Sequence, residues 1–133
     1  MKLITRDTDY ALRAICFMAK NKEKIVSVSE LVKVLKIPKP FLRKTLQVLN
    51  GKRILKSYKG LGGGFKLFLP TNKIFLLNLI EIFQGSFKLN ECFFKKVICP
   101  NTKTCILRKK MNAIEKHVVS ELKSITVASL LKR

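Results

Sequence analysis

The sequence predicts a mainly α-helical chain with one small β-hairpin and a long amphipathic helix near its end. Three observations support this fold class. A short helix with a capping box precedes a proline-started helix, a glycine-rich stretch separates two short apolar runs, and apolar residues recur at helical spacing over residues 106–123. Of the 133 residues, 47% are hydrophobic, so a folded core is expected.

Periodicity and caps indicate the first two helices. Residues 8–20 are expected to form the first helix, with Thr5 or Asp7 as its N-cap. The second helix follows Ser27, because Ser27 and Glu30 are spaced as a capping box in which each side chain binds the other residue's amide. The polar residues between the two helices predict a short connection.

A third helix is predicted to follow the second almost at once. The second helix should end near Ile37, since the residue before Pro38 is disfavoured in the helical conformation. Pro40 suits the first turn of the next helix, and Gly51 is expected to end it in a left-handed conformation. Two helices joined by so tight a turn are typical of the helix-turn-helix motif.

The third helix is predicted to have two chemically different faces, because successive helical residues advance about 100°. One face collects the apolar side chains, together with one threonine: Phe41, Leu42, Thr45, Leu46, Val48 and Leu49. The opposite face is mostly basic and hydrogen-bonding and contains no acid: Lys39, Pro40, Arg43, Lys44, Gln47 and Asn50. Such a face is either an ordinary solvated surface or a contact surface for nucleic acid.

Two short strands are predicted next, over residues 54–58 and 65–69. The loop between them reads KGLGGG and begins with Lys59 and Gly60. Its glycines allow positive backbone angles and close approach to a partner. A phosphate-binding loop is not favoured, because the Gly-Lys-Ser/Thr ending and the following helix start are missing. A basic hairpin directly after a helix-turn-helix predicts a wing that lies along DNA.

The net charge also favours a polyanionic partner. The chain has 28 Lys and Arg against 8 Asp and Glu, a formal net charge of +20. Such a surplus attracts nucleic acid first and an anionic membrane surface second, although a lysine-biased genome would explain part of it. No catalytic triad, Walker loop or pair of carboxylates is recognisable, so an enzyme is not expected.

The second half should contain two more helices, over residues 74–84 and 106–123. The longer one carries an apolar stripe: Leu107, Met111, Ile114, Val118 and Leu122. The stripe could pack on its own domain, but its place at the end of a short chain favours pairing with a second subunit. The predicted division is a winged helix-turn-helix domain over residues 1–72 and a sensor loop with dimerisation helices over residues 73–133.

Neither a membrane span nor a signal peptide is expected. The charge-free apolar stretch from Ile74 to Ile80 is far shorter than the roughly 20 residues that a bilayer crossing needs. Arg6, Asp7 and Asp9 lie where a signal peptide would be apolar. The expected location is the cytoplasm, where thiols stay reduced and clustered cysteines indicate metal or redox chemistry.

Three of the four cysteines, Cys92, Cys99 and Cys105, lie close together in the sequence. Three thiolates are suitable ligands for soft centres such as iron–sulfur clusters, zinc or copper(I), and incidental clustering is the alternative. Cys16, in the first helix, is expected to be a small core residue. His117, the only histidine, is expected on the exposed surface of the long helix.

Taken in order, these segments resemble the Rrf-type family of winged helix-turn-helix transcriptional regulators, which includes iron–sulfur-assembly, nitric-oxide-sensing and cysteine-metabolism regulators. The resemblance covers nearly the whole chain. Four segments carry it: Asp9-Tyr10-Ala11-Leu12-Arg13, residues 37–49, Lys59-Gly60-Leu61-Gly62-Gly63-Gly64-Phe65, and the cysteine cluster. It implies a homodimer with crossed terminal helices, recognition helices in two neighbouring major grooves, wings near the minor groove and a pseudo-palindromic operator.

The resemblance also implies roles for single residues. On the groove-facing side, Arg43 and Gln47 are expected to reach base edges, because arginine suits guanine and glutamine suits adenine. Lys39, Lys44 and Lys59 are expected to meet phosphates, which position the protein without reading sequence. The three clustered cysteines would hold an iron–sulfur cluster, of either the 2Fe-2S or the 4Fe-4S type.

At the cysteines the sequence departs from the family pattern. The first gap is one residue longer than in the iron–sulfur-assembly regulator, and Arg108 stands where a histidine would be the fourth ligand; arginine stays protonated and cannot ligate. Nitric-oxide-sensing relatives point instead to Asp9 of the other subunit, with Asp7 as the alternative. A carboxylate near a helix N-terminus explains Asp9 equally well. A zinc site, thiol oxidation or a docked protein partner are the other hypotheses for this loop.

Overall fold

The computed structural model of the chain describes residues 3–88 and 105–132. Its helices are α1 (Arg6–Lys20), α2 (Val28–Leu35), α3 (Lys39–Gly51), α4 (Leu76–Gln84), α5 (Ile106–Lys123) and α6 (Val127–Leu131), with one 3-10 turn at Thr71–Lys73. The strands β1 (Leu55–Tyr58) and β2 (Gly64–Leu67) pair antiparallel as a hairpin. The prediction of a mainly helical chain with a small hairpin is confirmed.

The main core forms around α1, which packs against α2, α3 and α4. Its inward residues at helical spacing are fully or almost fully buried: Ala11, Ala14, Ile15 and Met18. The helix begins two residues earlier than predicted. Thr5 occupies the N-cap position but makes no side-chain cap bond, because its hydroxyl lies 3.3 Å from the Thr8 hydroxyl instead.

Only half of the predicted capping box forms at the start of α2. The Ser27 hydroxyl accepts a 3.1 Å hydrogen bond from the Glu30 amide, as expected. The Glu30 carboxylate does not return the bond; it accepts from Lys24 Nζ at 2.5 Å. The helix ends at Leu35, slightly before the predicted stop, because Lys36 adopts a left-handed conformation with φ 57°.

The prediction that Gly51 ends α3 in a left-handed conformation is wrong. Gly51 is the last helical residue, and the Lys52 amide continues the helical bonding to the Val48 carbonyl at 3.1 Å. The left-handed residue is Arg53, with φ 61°. The backbone reverses there because the next amide, that of Ile54, donates a hydrogen bond back to the Leu49 carbonyl of α3 before β1 begins.

α4 and α5 form a second, smaller core, in which Leu76, Leu77, Ile80 and Leu122 are buried together. The predicted bounds of α5 are confirmed. At one end of its apolar stripe Leu122 is buried, whereas Leu107 at the other end is 70% exposed and Ile114 in the middle is 51% exposed. No helix in the described parts of the chain combines the length and apolarity that a bilayer crossing requires.

The short helix α6 was not predicted. Thr126 and Ser129 form a full capping box, with amide-to-hydroxyl distances of 3.0 and 3.1 Å. Val127 is only 1% exposed and belongs to the main core, and its amide donates to the Ile74 carbonyl at 2.9 Å. The end of the chain therefore returns to the helices of the first half.

Candidate nucleic-acid interface

A buried apolar framework holds α2 and α3 at a fixed angle. Leu31 of α2, Ile37 of the connecting turn and Leu42 of α3 are all buried in the main core. The left-handed Lys36 and the extended Pro38 let the chain reverse within three residues between the two helices. The predicted helix-turn-helix is therefore present.

The inner face of α3 is apolar and its one polar group is satisfied. Leu42, Leu46 and Leu49 are fully buried, and the buried Thr45 donates its hydroxyl to the Phe41 carbonyl at 2.9 Å. A threonine hydroxyl that bonds back to a carbonyl of its own helix is satisfied without a partner from another element. This side of α3 anchors the helix and leaves the other side free.

The side of α3 away from the core, here called the outer face, is formed by Lys39, Pro40, Arg43, Lys44 and Gln47. All five residues are exposed, and together they line an open groove of about 450 Å³. No acidic residue lines this groove. The structure thus brings together the candidate DNA-contacting residues of α3 on one accessible surface, while Asn50 at its end is half-buried.

Phe41 does not lie in the core as its place on the helical wheel predicted. Its side chain is 43% exposed, and the Arg6 guanidinium lies over its ring at 4.8 Å from the centroid. A cation in this position is attracted electrostatically by the negative face of the aromatic ring. Arg6 is therefore a further cation beside the start of α3, and the sequence contains no local signal for it because the two residues lie 35 positions apart.

The hairpin of β1 and β2, here called the wing, carries charge on its outward side. In its register Lys56 lies opposite Lys66, and Tyr58 lies opposite Gly64. Lys56 Nζ is 5.5 Å from the centroid of the Tyr58 ring. Lys59 and Gly60, the predicted contact residues of the wing, are both exposed. Like charges opposite each other destabilise a free hairpin, so this arrangement favours an anionic partner.

The wing is attached to the core at its base. Val26 and Phe65 exchange backbone hydrogen bonds of 2.9 and 2.8 Å, and Val26 is fully buried. Gly64 is required there, since a Cβ at this position would overlap the Val26 carbonyl. The base of the wing is thereby joined to the segment that leads into α2.

The predicted sensor residues lie only partly within the described structure. Cys105 is half-buried at the N-cap position of α5, and its thiol forms no disulfide within the described part of the chain. Cys92 and Cys99 lie outside the described residues. Within residues 3–88 and 105–132, no group of three or more His, Cys, Asp or Glu side chains is placed to hold a metal ion.

Asp9, the candidate fourth ligand, has an ionic partner within α1. Its Oδ2 accepts a 2.9 Å hydrogen bond from Arg13 Nε one helical turn later, and both side chains are substantially exposed. The alternative, Asp7, is exposed in the first turn of α1.

Cys16 and His117 were assigned no role in the sensor site. Cys16 is half-buried against the main core, and burial raises the pKa of its thiol, with Lys20 lowering it in part. A thiol that stays protonated is a poor nucleophile and a poor metal ligand. His117 is exposed on α5, where the sequence placed it.

Two helices joined by a left-handed turn and followed by an antiparallel hairpin define a winged helix-turn-helix protein. The comparison with known sequences is more specific. The chain belongs to the Rrf2 family, described as iron-dependent transcriptional regulators, whose profile matches residues 4–133. It is therefore a DNA-binding transcriptional regulator and not an enzyme.

Individual relatives agree with the family assignment. A protein of Aquifex aeolicus (strain VF5), described as an HTH-type transcriptional regulator, is 32% identical over 124 residues, which cover 92% of this chain and 86% of that protein. The HTH-type transcriptional regulator NsrR of Bacillus subtilis (strain 168) is 26% identical over 134 residues, covering 99% and 91%. The solved structure of CymR, the global cysteine regulator of B. subtilis, has a TM-score of 0.80 at 21% identity and covers 98% and 96%.

Proposed function

We propose that this regulator is a cytoplasmic, homodimeric repressor that binds a pseudo-palindromic operator and responds to an iron–sulfur cluster held by Cys92, Cys99 and Cys105. The observation that carries the DNA-binding part is the exposed, acid-free outer face of α3. An α-helix fits the major groove, which is about 12 Å wide, and the cations on this face complement its phosphate walls.

The residues of the outer face divide into two kinds of contact. Arg43 and Gln47 lie one helical turn apart near the middle of α3, so both reach base edges when the helix lies in the groove. Lys39 and Lys44 lie to either side and contact phosphates. On the wing, Lys59 contacts a phosphate, and Gly60 has no side chain to prevent close approach of the backbone.

Dimerisation is proposed through α5. Leu107 and Ile114, two residues of its apolar stripe, are 70% and 51% exposed on this helix, and exposed apolar residues aligned on one face are typical of a protein–protein contact. We propose that a second copy of the chain packs on α5, because a dimer would also carry two copies of the outer face of α3. Twofold symmetry then predicts half-sites about one or two helical turns apart.

The chemistry of the donor set fits an iron–sulfur cluster. Thiolates are the preferred ligands of such clusters, and this chain provides three of them within a short segment. Cys105 is a free cysteine at the N-cap position of α5, so a cluster bound there would lie at the start of the proposed dimer helix. The family's iron-dependence agrees with this assignment. A bound cluster would supply a group that oxygen, nitric oxide or iron scarcity can remove.

Asp9 of the partner subunit is the proposed fourth ligand, with Asp7 as the alternative. The Asp9–Arg13 ion pair is an exposed one, and such pairs contribute only about 0–1 kcal/mol. The carboxylate could therefore exchange Arg13 for a metal at small cost. Ligation would then remove the ionic partner of Arg13 and would couple the metal site to the surface of α1.

The contacts of the helices supply a route from the sensor segment to DNA. Residues 86–105 join α4 to α5; α4 packs on α1, and α1 packs on α3. A change at the cysteines that shifts α4 or α5 would change the separation of the two α3 helices in the dimer. A signal can change operator affinity only as far as its own affinities for the two arrangements of the dimer differ.

The anaerobic visible absorption spectrum, with iron and sulfide analysis, tests the sensor part of the proposal. Protein purified without oxygen is expected to be coloured and to contain iron and acid-labile sulfide. Colourless protein that contains zinc would support a zinc site instead of a cluster. Colourless protein that contains no metal, and whose operator affinity changes on thiol oxidation, would support a thiol redox sensor. Operator binding that ignores cluster, metal and thiol state would leave control to a protein partner.

A further inference from the structure

We propose that Leu61, at the tip of the wing, is an apolar wedge that enters the minor groove and partly unstacks one base step in each half-site. The inference rests on the proposed DNA-binding function and adds a determinant of specificity to it. Leu61 is fully exposed, at 107% of its reference area. A single exposed leucine is ordinary on a protein surface, so the argument depends on how the fold presents this one.

The tip of the wing is narrow because its flanking residues have no side chains. Gly60 and Gly62 stand on either side of Leu61 with φ of 89° and 75°, and a Cβ on either would meet nothing within 4 Å. The Gly63 amide closes the turn by donating to the Gly60 carbonyl at 3.0 Å. A lone leucine on a bare backbone turn fits the minor groove, which is only about 6 Å wide and excludes a helix.

The wedge is also held in place before DNA binds. The Val26–Phe65 hydrogen bonds fix the base of the wing, and the Ile54 amide donates to the Leu49 carbonyl of α3 at 3.0 Å. Because the base stands at a set position relative to α3 and the Gly60–Gly63 bond closes the turn, insertion requires ordering only of the short tip. A preformed contact of this kind loses less conformational entropy on binding than a flexible one.

Charges on the wing favour insertion between phosphate strands. Lys56 and Lys66 repel each other across the hairpin, and Lys59 stands two residues before Leu61. Phosphates on the two sides of the minor groove would neutralise these cations while Leu61 points between them. Apolar side chains placed in this way, leucine among them, partly unstack base steps and kink the duplex.

The wedge predicts selectivity at a position without hydrogen-bonded base contacts. Pyrimidine–purine steps such as TA and CA are the easiest to kink, so they should be preferred where Leu61 enters.

The probe is a duplex that the wild-type full-length protein selects from a random 30-base-pair library. 2-Aminopurine replaces each adenine of the selected site in turn, on either strand, and a fluorophore pair at the duplex ends reports bending.

Four proteins are compared: wild type, Leu61→Ala, Leu61→Met and, as the matched control, Leu130→Ala. Leu130 is an exposed leucine on α6, at 46% of its reference area.

We expect wild type to raise the 2-aminopurine signal at one step in each half-site and to bend the duplex. Leu61→Ala should lose both signals and bind roughly tenfold more weakly. Its salt dependence should not change, because no charge is removed. Leu61→Met should retain both signals, and Leu130→Ala should match wild type.

Two results would overturn the wedge while leaving the proposed function intact. One is a Leu61→Ala protein that bends the site and unstacks the same base as wild type does. The other is a wild-type protein that binds its selected site with no bend and no 2-aminopurine response. Failure of the wild-type protein to select any sequence would instead refute the proposed operator-binding function.

Discussion

Thr8 donates a 2.7 Å hydrogen bond from its hydroxyl to Oε1 of Gln84 and thereby joins the first turn of α1 to the last residue of α4. The same oxygen accepts from the Thr5 amide at 3.0 Å, and Gln84 Nε2 donates to the Leu3 carbonyl at 3.3 Å. Thr8 is completely buried. One glutamine at the end of α4 thus satisfies both a buried hydroxyl and a backbone amide at the start of α1.

Gln84→Ala should lower the free energy of unfolding by about 1–3 kcal/mol, because it leaves the buried Thr8 hydroxyl with only the weaker 3.3 Å contact to Thr5. Urea denaturation followed by circular dichroism measures the change. The same substitution in a Thr8→Val background should have a smaller effect, since the unsatisfied hydroxyl is gone. An equal loss in both backgrounds would show that the hydrogen bond does not stabilise the fold.

Arg43→Ala should weaken binding to the selected duplex by about 1–3 kcal/mol and relax specificity at one base position, because a bidentate contact to guanine is lost. Fluorescence anisotropy with duplexes substituted one position at a time measures both effects. Arg43→Lys is an informative companion, since it keeps the charge and loses the planar pair of donors. Equal weakening at every sequence would assign Arg43 to phosphate rather than to a base.

Lys59→Ala should weaken binding to all sequences alike and reduce the magnitude of the salt slope by about 1, which corresponds to one phosphate contact. Affinity for the selected duplex and for an unrelated one, each measured over a range of salt concentrations, gives the slope. Lys132→Ala removes the same charge from an exposed residue near the end of the chain and is the control. If the two variants had the same slope, Lys59 would not touch the DNA backbone.

Local pattern was enough to predict the features of this fold that depend on neighbours in sequence. The two faces of α3, apart from the exposed Phe41 and the half-buried Asn50, and the bounds of α5 follow from side-chain periodicity. Ser27 follows from the preference for N-caps. The positions on the outer face were therefore predictable before any tertiary contact was known.

Most of the features that were missed depend on tertiary contacts, but the end of α3 does not. The reversal falls at Arg53 rather than Gly51 and closes a local helix cap in which the Ile54 amide donates to the Leu49 carbonyl. The Thr8–Gln84 bond and the Arg6–Phe41 contact join residues far apart in sequence and have no local signal. α6 is too short for periodicity to reveal, and the burial of Val127 stabilises it.

Substituting the cysteines one at a time should separate the cluster ligands from the fourth cysteine. Alanine at position 92, 99 or 105 should abolish visible absorbance and the bound iron and sulfide after anaerobic reconstitution, because each removes one thiolate. Cys16→Ala, the matched control, should keep them, since that thiol is half-buried on α1. Asp9→Asn should keep the colour but shorten its lifetime in air. Loss of iron only in the Cys16 variant would move the metal site to α1.

Cys16 also predicts how stability changes in alkaline solution. Burial raises the pKa of its thiol above the ordinary value of 9.0, so the folded state favours the protonated form. The resulting stabilisation is complete below the pKa of the unfolded chain and is lost as pH rises through the folded pKa, because the unfolded chain then releases the proton more readily. Cys16→Ala lacks this group, so wild type should lose more stability than Cys16→Ala between pH 8 and about 10.

Urea unfolding of both proteins at each pH measures this difference in stability, in which the contributions of the other titrating groups cancel. Parallel losses in the two proteins would show that the Cys16 thiol titrates in the fold as it does in the unfolded chain.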